Sequence, residues 1–289
     1  MAISISIIIP FYNGNKYLKR LISSIENIVK NTEKIATYEL IVVNDSPEIE
    51  VILPDTFLNI EILKNERNIG IQGARINGLK HAKGEWIIFL DQDDELILDG
   101  FEKQLNLVQN ADIIVGNGIY KLGDVNIKIY ENIKTMNYLI QRDMFIKIRN
   151  LIPSPGECLI KRNLIPDIWM NNKLQISGAD DWFLWLLLLQ KNAKFQCNEQ
   201  LVYIHNDTEG NNLSADLKKM KDSSMEMLNI LKLTGVYDNN EIRKLKKSIE
   251  FKYYQDTKQM SIIRCIKYGK TIVDNIIYKI KVLYLKYKV

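Results

Sequence analysis

Apolar residues in the first hundred positions form short continuous runs that alternate with segments of helical spacing. The runs are rich in Ile, Val and aromatic residues, which is typical of strands buried on both faces of a sheet. Predicted strands occupy residues 3–9, 38–43, 60–63 and 86–90. One predicted helix begins at Asn15, and a second opens at Asn68 and runs to about His81. This order predicts an α/β fold with a mostly parallel sheet and helices on both faces.

Helices and strands are both predicted up to residue 213, and only helices are predicted after it. Helices are predicted at residues 99–108, 134–150 and 182–189, strands at 112–115, 127–130, 158–160 and 201–204, and a loop at 116–123. From Ser214 onward the strand patterns cease, and two or three amphipathic helices follow. We therefore predict an α/β domain over residues 1–213, divided near residue 115 into two halves, and a C-terminal α-helical extension over residues 214–289.

Composition, apolar run length and cysteine spacing indicate a globular protein of a reducing compartment. A hydrophobic content of 46% and a charged content of 26% are ordinary for a globular protein, and no apolar run is long enough to cross a bilayer. The three cysteines lie far apart, without zinc-site or disulfide spacing, which favours a reducing, cytoplasmic compartment. No basic segment precedes the first apolar residues, so we interpret them as a strand and not as a signal peptide.

Charge is distributed unevenly along the chain. Residues 241–289 hold 13 Lys or Arg and 4 Asp or Glu, a net charge of +9, whereas the preceding 240 residues carry −5. Basic helices with an apolar, tyrosine-rich opposite face suit the surface of an anionic membrane. The alternative is that they pack on the protein and leave a solvated basic face. No recognition motif supports a third possibility, nucleic-acid binding.

The strongest candidate for chemistry follows the fourth predicted strand, where Asp91, Asp93 and Asp94 come directly after five apolar residues. Ligands of open α/β sheets bind at the carboxyl ends of the strands, and clustered carboxylates suit Mg²⁺ or Mn²⁺ bridging to a phosphate. The alternative is a solvated acidic turn. Asp45 ends the second strand in the same way, where nucleotide sites commonly place a carboxylate. Neither a G-x-G-x-x-G segment nor a P-loop is present.

A second acidic pair, Asp180 and Asp181, directly precedes the apolar segment at 182–189. Acidic residues in the first turn of a helix stabilise its dipole, and this explains the pair without any catalytic role. The turn of Ser154 to Glu157 separates this pair from the first half of the chain, and we expect it to line an acceptor side because rim loops carry specificity. The alternative is a plain connecting turn.

Five segments in register resemble glycosyltransferase family 2. They are Ser6-Ile7-Ile8-Ile9-Pro10-Phe11-Tyr12-Asn13, Val42-Val43-Asn44-Asp45-Ser46, Asn68-Ile69-Gly70 with Ala74-Arg75-Asn77-Gly78, Phe89-Leu90-Asp91-Gln92-Asp93-Asp94, and Asp180-Asp181-Trp182 with Leu184-Trp185. Pro47 and Glu48 stand where the family usually has Gly-Ser, and Asp180 stands where it more often has Glu. The resemblance extends over residues 3–205 and excludes the basic helices.

This resemblance implies a GT-A (Rossmann-like) fold and inverting transfer of a sugar from a nucleotide-sugar, with UDP as the expected nucleotide. The implied acceptor is a hydroxyl of a glycan or lipid-linked sugar in surface polysaccharide synthesis. The resemblance assigns Asp181 as the catalytic base and Mn²⁺ or Mg²⁺ as the cofactor, with Asp93 and Asp94 as metal-binding residues. Residues implied to bind the donor are Pro10, Tyr12, Asp45, Arg75, Asp91, Gln92 and Asp93.

The basic tail would place such an enzyme in the cytoplasm, peripheral to the inner leaflet of the cell membrane. One alternative is a sugar-1-phosphate nucleotidyltransferase, but residues 10–16 lack the Gly-rich basic loop that those enzymes share. Another is a non-catalytic membrane-associated scaffold, against which the retention of Asp45, Asp91 and Asp181 argues.

Overall fold

A computed structural model describes residues 3–206 and 215–287. The chain divides into two compact units. The first comprises Met1–Tyr130, Ser154–Ile165 and Ala193–Gly210, and the second comprises Glu131–Pro153, Pro166–Asn192 and Asn211–Val289. This division differs from the predicted boundary at 213/214, because helices in the middle of the chain pack with C-terminal helices. For example, the Tyr237 hydroxyl donates to the Leu186 carbonyl at 2.8 Å, and Arg142 pairs with Glu241 at 2.7 Å.

The first unit is a mixed sheet with three helices in its described residues. Its strands are β1 (Ile3–Phe11), β2 (Ile35–Asn44), β3 (Ile60–Lys64), β4 (Trp86–Phe89), β5 (Glu95–Leu96), β6 (Ile113–Leu122), β7 (Val125–Lys128), β8 (Cys158–Lys161) and β9 (Phe195–Asn206). Its helices are α1 (Asn15–Asn31), α2 (Gly70–His81) and α3 (Leu98–Leu105). The strand order is β3-β2-β1-β4-β8-β6-β9-β5, with β7 paired to β6. The order of elements predicted for the first ninety residues is confirmed.

Strands β3, β2, β1 and β4 are parallel neighbours, and Ile7 of β1 lies between Leu40 of β2 and Ile88 of β4. All three of these side chains are buried, as continuous apolar runs require. Helix α1 covers the sheet with the face carrying Leu18 and Ile25, both fully buried. The carboxyl ends of β1, β2 and β4 therefore come together at one edge.

The predicted loop at 116–123 is wrong, because β6 continues through it to Leu122. Gly116 and Gly118 lie inside the strand and pair with β9 around a register shift. A Cβ atom on Gly116 would lie 2.1 Å from a Val202 methyl carbon, so the close approach of β9 requires glycine there. Residues that look like turn formers in the sequence are here packing residues of a sheet.

The second unit is helical throughout its described residues. Its helices are α4 (Ile133–Leu139), α5 (Arg142–Lys147), α6 (Asp167–Asn171), α7 (Asp180–Gln190), α8 (Leu217–Leu233), α9 (Asn239–Asp256), α10 (Ile262–Lys267) and α11 (Gly269–Tyr287). Helix α7 is apolar on all sides and almost entirely buried, because a helix without a polar face is stable only when protein surrounds it. After residue 215 the described chain forms four helices where two or three were predicted. Among the described helices, none is long and apolar enough to cross a membrane.

Candidate active site

The carboxyl ends of three parallel strands bring together most of the residues that the sequence singled out. The Asp45 backbone N–H donates to the Phe11 carbonyl at 2.8 Å, and the Leu90 N–H donates to the Ile8 carbonyl at 3.0 Å. These bonds extend the pairing of β1 with both neighbours to the points where the carboxylates begin. Pro10 is buried within β1 and pairs with Val43 of β2. The pairing of β1 with β4 ends before Pro10, at Ile8, so the N–H that proline lacks is not needed for a hydrogen bond to β4.

Asp45 joins the end of β2 to the start of α2. One carboxylate oxygen accepts from the Asn65 amide and the Ile69 N–H, both at 2.8 Å, and the other accepts from the Gly70 N–H at 2.9 Å. Gly70 has a φ of +78°, in the left-handed region that glycine adopts without strain. A carboxylate accepts about four hydrogen bonds, so one position remains for a ligand N–H. Asp45 is thus rigidly oriented by the positive end of a helix.

Arg75 of α2 neutralises Asp91 at the end of β4. Its Nη2 atom lies 2.6 Å from an Asp91 carboxylate oxygen, and the Arg75 side chain is buried whereas Asp91 is partly exposed. A buried, charge-assisted pair of this kind fixes the carboxylate in position. The role of Arg75 in donor binding stays a prediction.

Gln92 fastens the β4 loop to the segment after β1. Its Oε1 accepts from the Tyr12 N–H at 2.8 Å, and its Nε2 donates to the Tyr12 carbonyl at 3.0 Å. A Cβ on Gly14 would lie 2.0 Å from the Gln92 Oε1, so this contact requires glycine at position 14. The Tyr12 side chain remains largely exposed at the edge of the sheet.

Asp93 and Asp94 differ sharply in their surroundings. Asp94 has no exposed surface, and its carboxylate accepts from the Tyr203 hydroxyl, from the Asn206 N–H at 3.1 Å and from His205 Nδ1 at 3.2 Å. The side chain of Asp93 is half-buried, and its backbone carbonyl accepts from Arg20 at 2.7 Å. Asp94 therefore holds the loop against β9, while Asp93 is the more accessible carboxylate.

The electrostatics of this cluster leave it short of positive charge. Burial and the charges of Asp94 and Asp91 raise the pKa of Asp93 to about 6. Burial lowers the pKa of His205, but its hydrogen bond to Asp94 and the charges of the three aspartates outweigh this and raise its pKa to about 9. Burial also raises the pKa of Asp94, against the opposing effect of His205. Arg75 and protonated His205 thus face three clustered carboxyl groups, and such a cluster suits a divalent cation that also binds a substrate diphosphate.

Few protein ligands would hold such a cation. Within residues 3–206 and 215–287, no group of three or more His, Cys, Asp or Glu side chains is arranged to hold a metal ion. Mg²⁺ is usually bound by one or two carboxylates, with phosphate oxygens and water completing its shell. The donor set on this loop is compatible with that pattern, and the metal assignment stays a prediction.

Asp180 and Asp181 begin α7, in the second unit. The Asp181 carboxylate accepts from the Asn150 amide at 2.9 Å and from the Trp182 N–H at 2.6 Å. Asp180 is buried, and its backbone carbonyl accepts from the Trp169 indole at 2.8 Å. Both acids lie in the first helical turn, as the dipole interpretation requires, but only Asp181 retains partial exposure. The role of Asp181 as a base stays a prediction.

A cavity of about 270 Å³ lies beside Asp181 within the second unit. Its lining residues include Arg149, Asn150, Trp182, Lys221, Ser248 and Tyr253. The Trp182 indole nitrogen and the Ser248 hydroxyl are buried and have no hydrogen-bond partner among the described residues. Buried donors of this kind are costly unless a ligand or water satisfies them.

The turn from Ser154 to Glu157 does not line this cavity. The side chains of Ser154 and Glu157 are buried in the first unit, where Glu157 accepts from the Tyr130 hydroxyl at 3.0 Å. Burial raises the pKa of Glu157 well above its usual value. Their burial contradicts the expected acceptor-side role.

Sequence reasoning missed several residues that build the carboxylate site. They are Arg20, Asn65, Tyr203, His205 and Asn206. The last three lie on β9, more than a hundred residues from Asp94. Tyr203 and His205 are two apart on a strand and therefore share one face, which is the only sequence signal that links them.

Comparisons with known proteins give the family and the fold of this chain. The family model described as "Glycosyl transferase family 2" matches residues 6–169. An uncharacterized glycosyltransferase of Haemophilus influenzae is 34% identical over 143 residues, covering 47% of this chain and 55% of that protein. The Escherichia coli UDP-Glc:alpha-D-GlcNAc-diphosphoundecaprenol beta-1,3-glucosyltransferase WfgD is 28% identical over 194 residues, covering 65% of this chain and 70% of that protein.

A crystal structure of residues 1–349 of S. aureus TarS in complex with UDP-GlcNAc has a similar fold. Its TM-score is 0.64 at 16% identity, covering 94% of this chain and 80% of that chain. At this identity the likeness concerns the fold alone, and it confirms the predicted GT-A fold with C-terminal helices. Because the family model matches more than half of the chain, including the strand ends that carry Asp45, Asp91 and Asp93, this protein belongs to glycosyltransferase family 2.

Proposed function

We propose that this protein is an inverting glycosyltransferase that moves a sugar from a UDP-sugar to a hydroxyl of a glycan or lipid-linked acceptor in surface polysaccharide synthesis. The observation that carries the proposal is the gathering of Asp45, Asp91 and Asp93 at the ends of β2 and β4, the two parallel neighbours of β1, where such sheets bind nucleotides. The name of WfgD, which includes a UDP-sugar and a lipid diphosphate, and the UDP-GlcNAc complex of TarS support the donor and acceptor classes.

In this proposal, Asp45 accepts a hydrogen bond from the nucleotide base, and Tyr12 and Asp91 lie beside the nucleoside and sugar. Gln92 keeps the Tyr12 segment in place through its two backbone hydrogen bonds. Asp93 would hold Mn²⁺ or Mg²⁺, and Asp94 positions Asp93 from its buried site against β9. A bound ion would supply positive charge against the negative charge that develops on the departing diphosphate.

Asp181 takes the proton of the acceptor hydroxyl as that oxygen attacks the anomeric carbon. A sugar hydroxyl is a poor nucleophile at neutral pH, so a carboxylate that receives its proton lowers the barrier. Asn150 and the Trp182 N–H orient this carboxylate. The adjoining cavity, lined by polar residues such as Asn150 and Lys221, supports acceptor binding in the second unit.

The proposed location is the cytoplasmic leaflet of a membrane, to which the basic C-terminal helices attach the enzyme peripherally. The excess of basic residues over residues 241–289 supports this location, since about 1 kcal/mol is gained per Lys or Arg near an anionic leaflet.

Calorimetric titration of the full chain with UDP, with and without Mn²⁺, tests the donor assignment. We expect metal-dependent binding, and UDP release from one of a panel of UDP-sugars that stops in EDTA and resumes with Mn²⁺ or Mg²⁺. Absence of UDP binding with either metal would refute the donor assignment, and undiminished turnover in EDTA would refute the metal.

A further inference from the structure

Helix α11 carries two apolar stripes, and the protein covers only one of them. The covered stripe lies against α4, α5 and α9 of the same unit. Its members recur every three or four residues and are Thr271, Asn275, Tyr278, Val282 and Leu285, all buried or half-buried. The Asn132 amide donates to the Leu285 carbonyl at 3.0 Å, and Lys286 pairs with Glu131 at 2.6 Å. These contacts fix the rotation of the helix about its own axis.

The opposite stripe is more apolar, and it is exposed. We name it the free face, and it consists of Val273, Ile276, Ile277, Ile280, Leu283, Tyr284 and Tyr287, together with Ile262, Ile263 and Ile266 of the preceding helix α10. Each of these side chains is between 51% and 81% exposed. Isolated exposed apolar residues are ordinary, but ten on two consecutive helices indicate an interaction surface.

The charges that flank the free face indicate which partner it takes. Residues 261–289 contain seven Lys or Arg and a single acidic residue, Asp274. Lys270, Lys279 and Lys281 form no ion pair with any described residue. Exposed isoleucines bordered by unpaired lysines, with two tyrosines at one end, have the composition of a helix that lies in the interface of an anionic bilayer.

A second copy of the chain fits the free face less well. In a coiled coil, charged residues of opposite sign flank the apolar seam and select the partner, and the seam extends over at least about three heptads. The free face of α11 occupies about two heptads, and its flanks supply Lys279, Lys281 and Lys286 without any Glu. Pairing two such helices would bring like charges together.

We infer that the free face of α10 and α11 is a membrane-binding surface, which lies parallel to an anionic bilayer with its isoleucines inserted among the lipid headgroups. This inference rests on the proposed peripheral location and adds to it the surface and the orientation. Helix α9 takes no part in it, because its apolar residues, such as Leu245 and Ile249, are buried within the unit. Helix α8 exposes only the apolar residues at its two ends, Leu217 and Leu233, which form no stripe.

Sedimentation of the full chain with vesicles tests this surface. Vesicles of 70% phosphatidylcholine and 30% phosphatidylglycerol should bind the protein at low salt, and vesicles of phosphatidylcholine alone should bind it far less. The double variant Ile277→Asp/Ile280→Asp should reduce partitioning at least about tenfold, because apolar insertion is lost. Lys279→Glu/Lys281→Glu should reduce it at least about 25-fold, since each basic residue contributes about fivefold.

Matched variants supply the controls. Ile52→Asp/Phe57→Asp removes two apolar side chains that are 66% and 60% exposed in the first unit, and Lys218→Glu/Lys232→Glu reverses two exposed charges on α8. Both should sediment as the unmodified chain does. All four variants alter exposed side chains, so unchanged melting temperatures and unchanged UDP binding should accompany them; this separates a failure of the surface from a failure of the donor site.

Three results would overturn the inference. One is that the full chain ignores anionic vesicles. The second is that the α11 variants bind as well as the controls. The third is a lipid-independent dimer, detected by analytical ultracentrifugation, that is lost in Ile277→Asp/Ile280→Asp, since the free face would then be covered by a second copy.

Discussion

Asp93 and Asp94 are neighbours in the sequence, yet the structure predicts that replacing them by asparagine changes stability in opposite directions. In metal-free buffer, Asp94→Asn should lower the melting temperature and Asp93→Asn should raise it. The contrast follows from the burial of Asp94 among donors and from the accumulation of negative charge around Asp93.

The Asp94 carboxylate is fully buried and accepts from Tyr203, Asn206 and His205. Burial also raises the pKa of Asp94, so loss of its charge is favourable by itself, but asparagine leaves protonated His205 without its counter-charge and removes one oxygen that accepts hydrogen bonds. Breaking a buried ion pair costs about 3–5 kcal/mol, which we reduce to about 1–3 kcal/mol because the His205 side chain is 28% exposed. At about 2–4 °C per kcal/mol for units of this size, we expect the melting temperature to fall by at least about 2 °C.

Asp93 has its pKa raised from 3.8 to about 6, so its ionised form destabilises the folded protein. The shift corresponds to about 3 kcal/mol, which we reduce to about 1–3 kcal/mol because the side chain is partly exposed. The penalty is absent below pH 3.8, where the carboxyl is protonated in both states, and is complete above pH 6. The gain from Asp93→Asn should therefore be largest at pH 7.5 and about half as large at pH 5.

Thermal unfolding by circular dichroism in EDTA measures both effects, with Asp124→Asn in the exposed β6–β7 turn as a control that should change little. Addition of Mn²⁺ and UDP should then stabilise the unmodified chain but not Asp93→Asn, because ligands that bind only the folded state raise its stability. A fall in melting temperature for Asp93→Asn, or equal metal-dependent stabilisation of both proteins, would refute the division of roles between the two carboxylates.

Three further predictions concern turnover and binding. Asp181→Asn should slow sugar transfer about 10²–10⁴-fold while leaving UDP affinity unchanged, whereas Asp167→Asn, an exposed acid in the first turn of α6, should leave the rate alone; normal transfer by Asp181→Asn would leave only its helix-dipole role. Trp182→Phe keeps an aromatic ring but changes the shape of the wall of the cavity in the second unit, so it should raise the acceptor KM and not the donor KM, and the reverse pattern would contradict acceptor binding in this cavity. Gly14→Ala should weaken UDP binding in calorimetry by displacing Gln92, and an affinity equal to that of the unmodified chain would show that this contact is dispensable.

Local patterns in the sequence were sufficient to predict the strands and helices that carry the candidate active site. Continuous apolar runs identified β1, β2 and β4, because a strand buried on both faces needs apolar residues at every position. Since parallel strands end at one edge of a sheet, the gathering of Asp45 with Asp91 followed from those runs alone. The helices after residue 215 were likewise evident from their amphipathic spacing.

Tertiary packing decided what each residue does within those elements. Asp93 and Asp94 are both acids after the same strand, and only the return of β9, more than a hundred residues later, buries one of them. Gly116 and Gly118 predict a loop from the sequence, but in the structure β9 packs against both residues within a strand. Helix α11 has apolar residues on two faces, and docking on α4, α5 and α9 selected the one that is covered. Periodicity along the chain determines which faces of an element are apolar, but burial depends on segments distant in sequence, and their approach is fixed only in the folded protein.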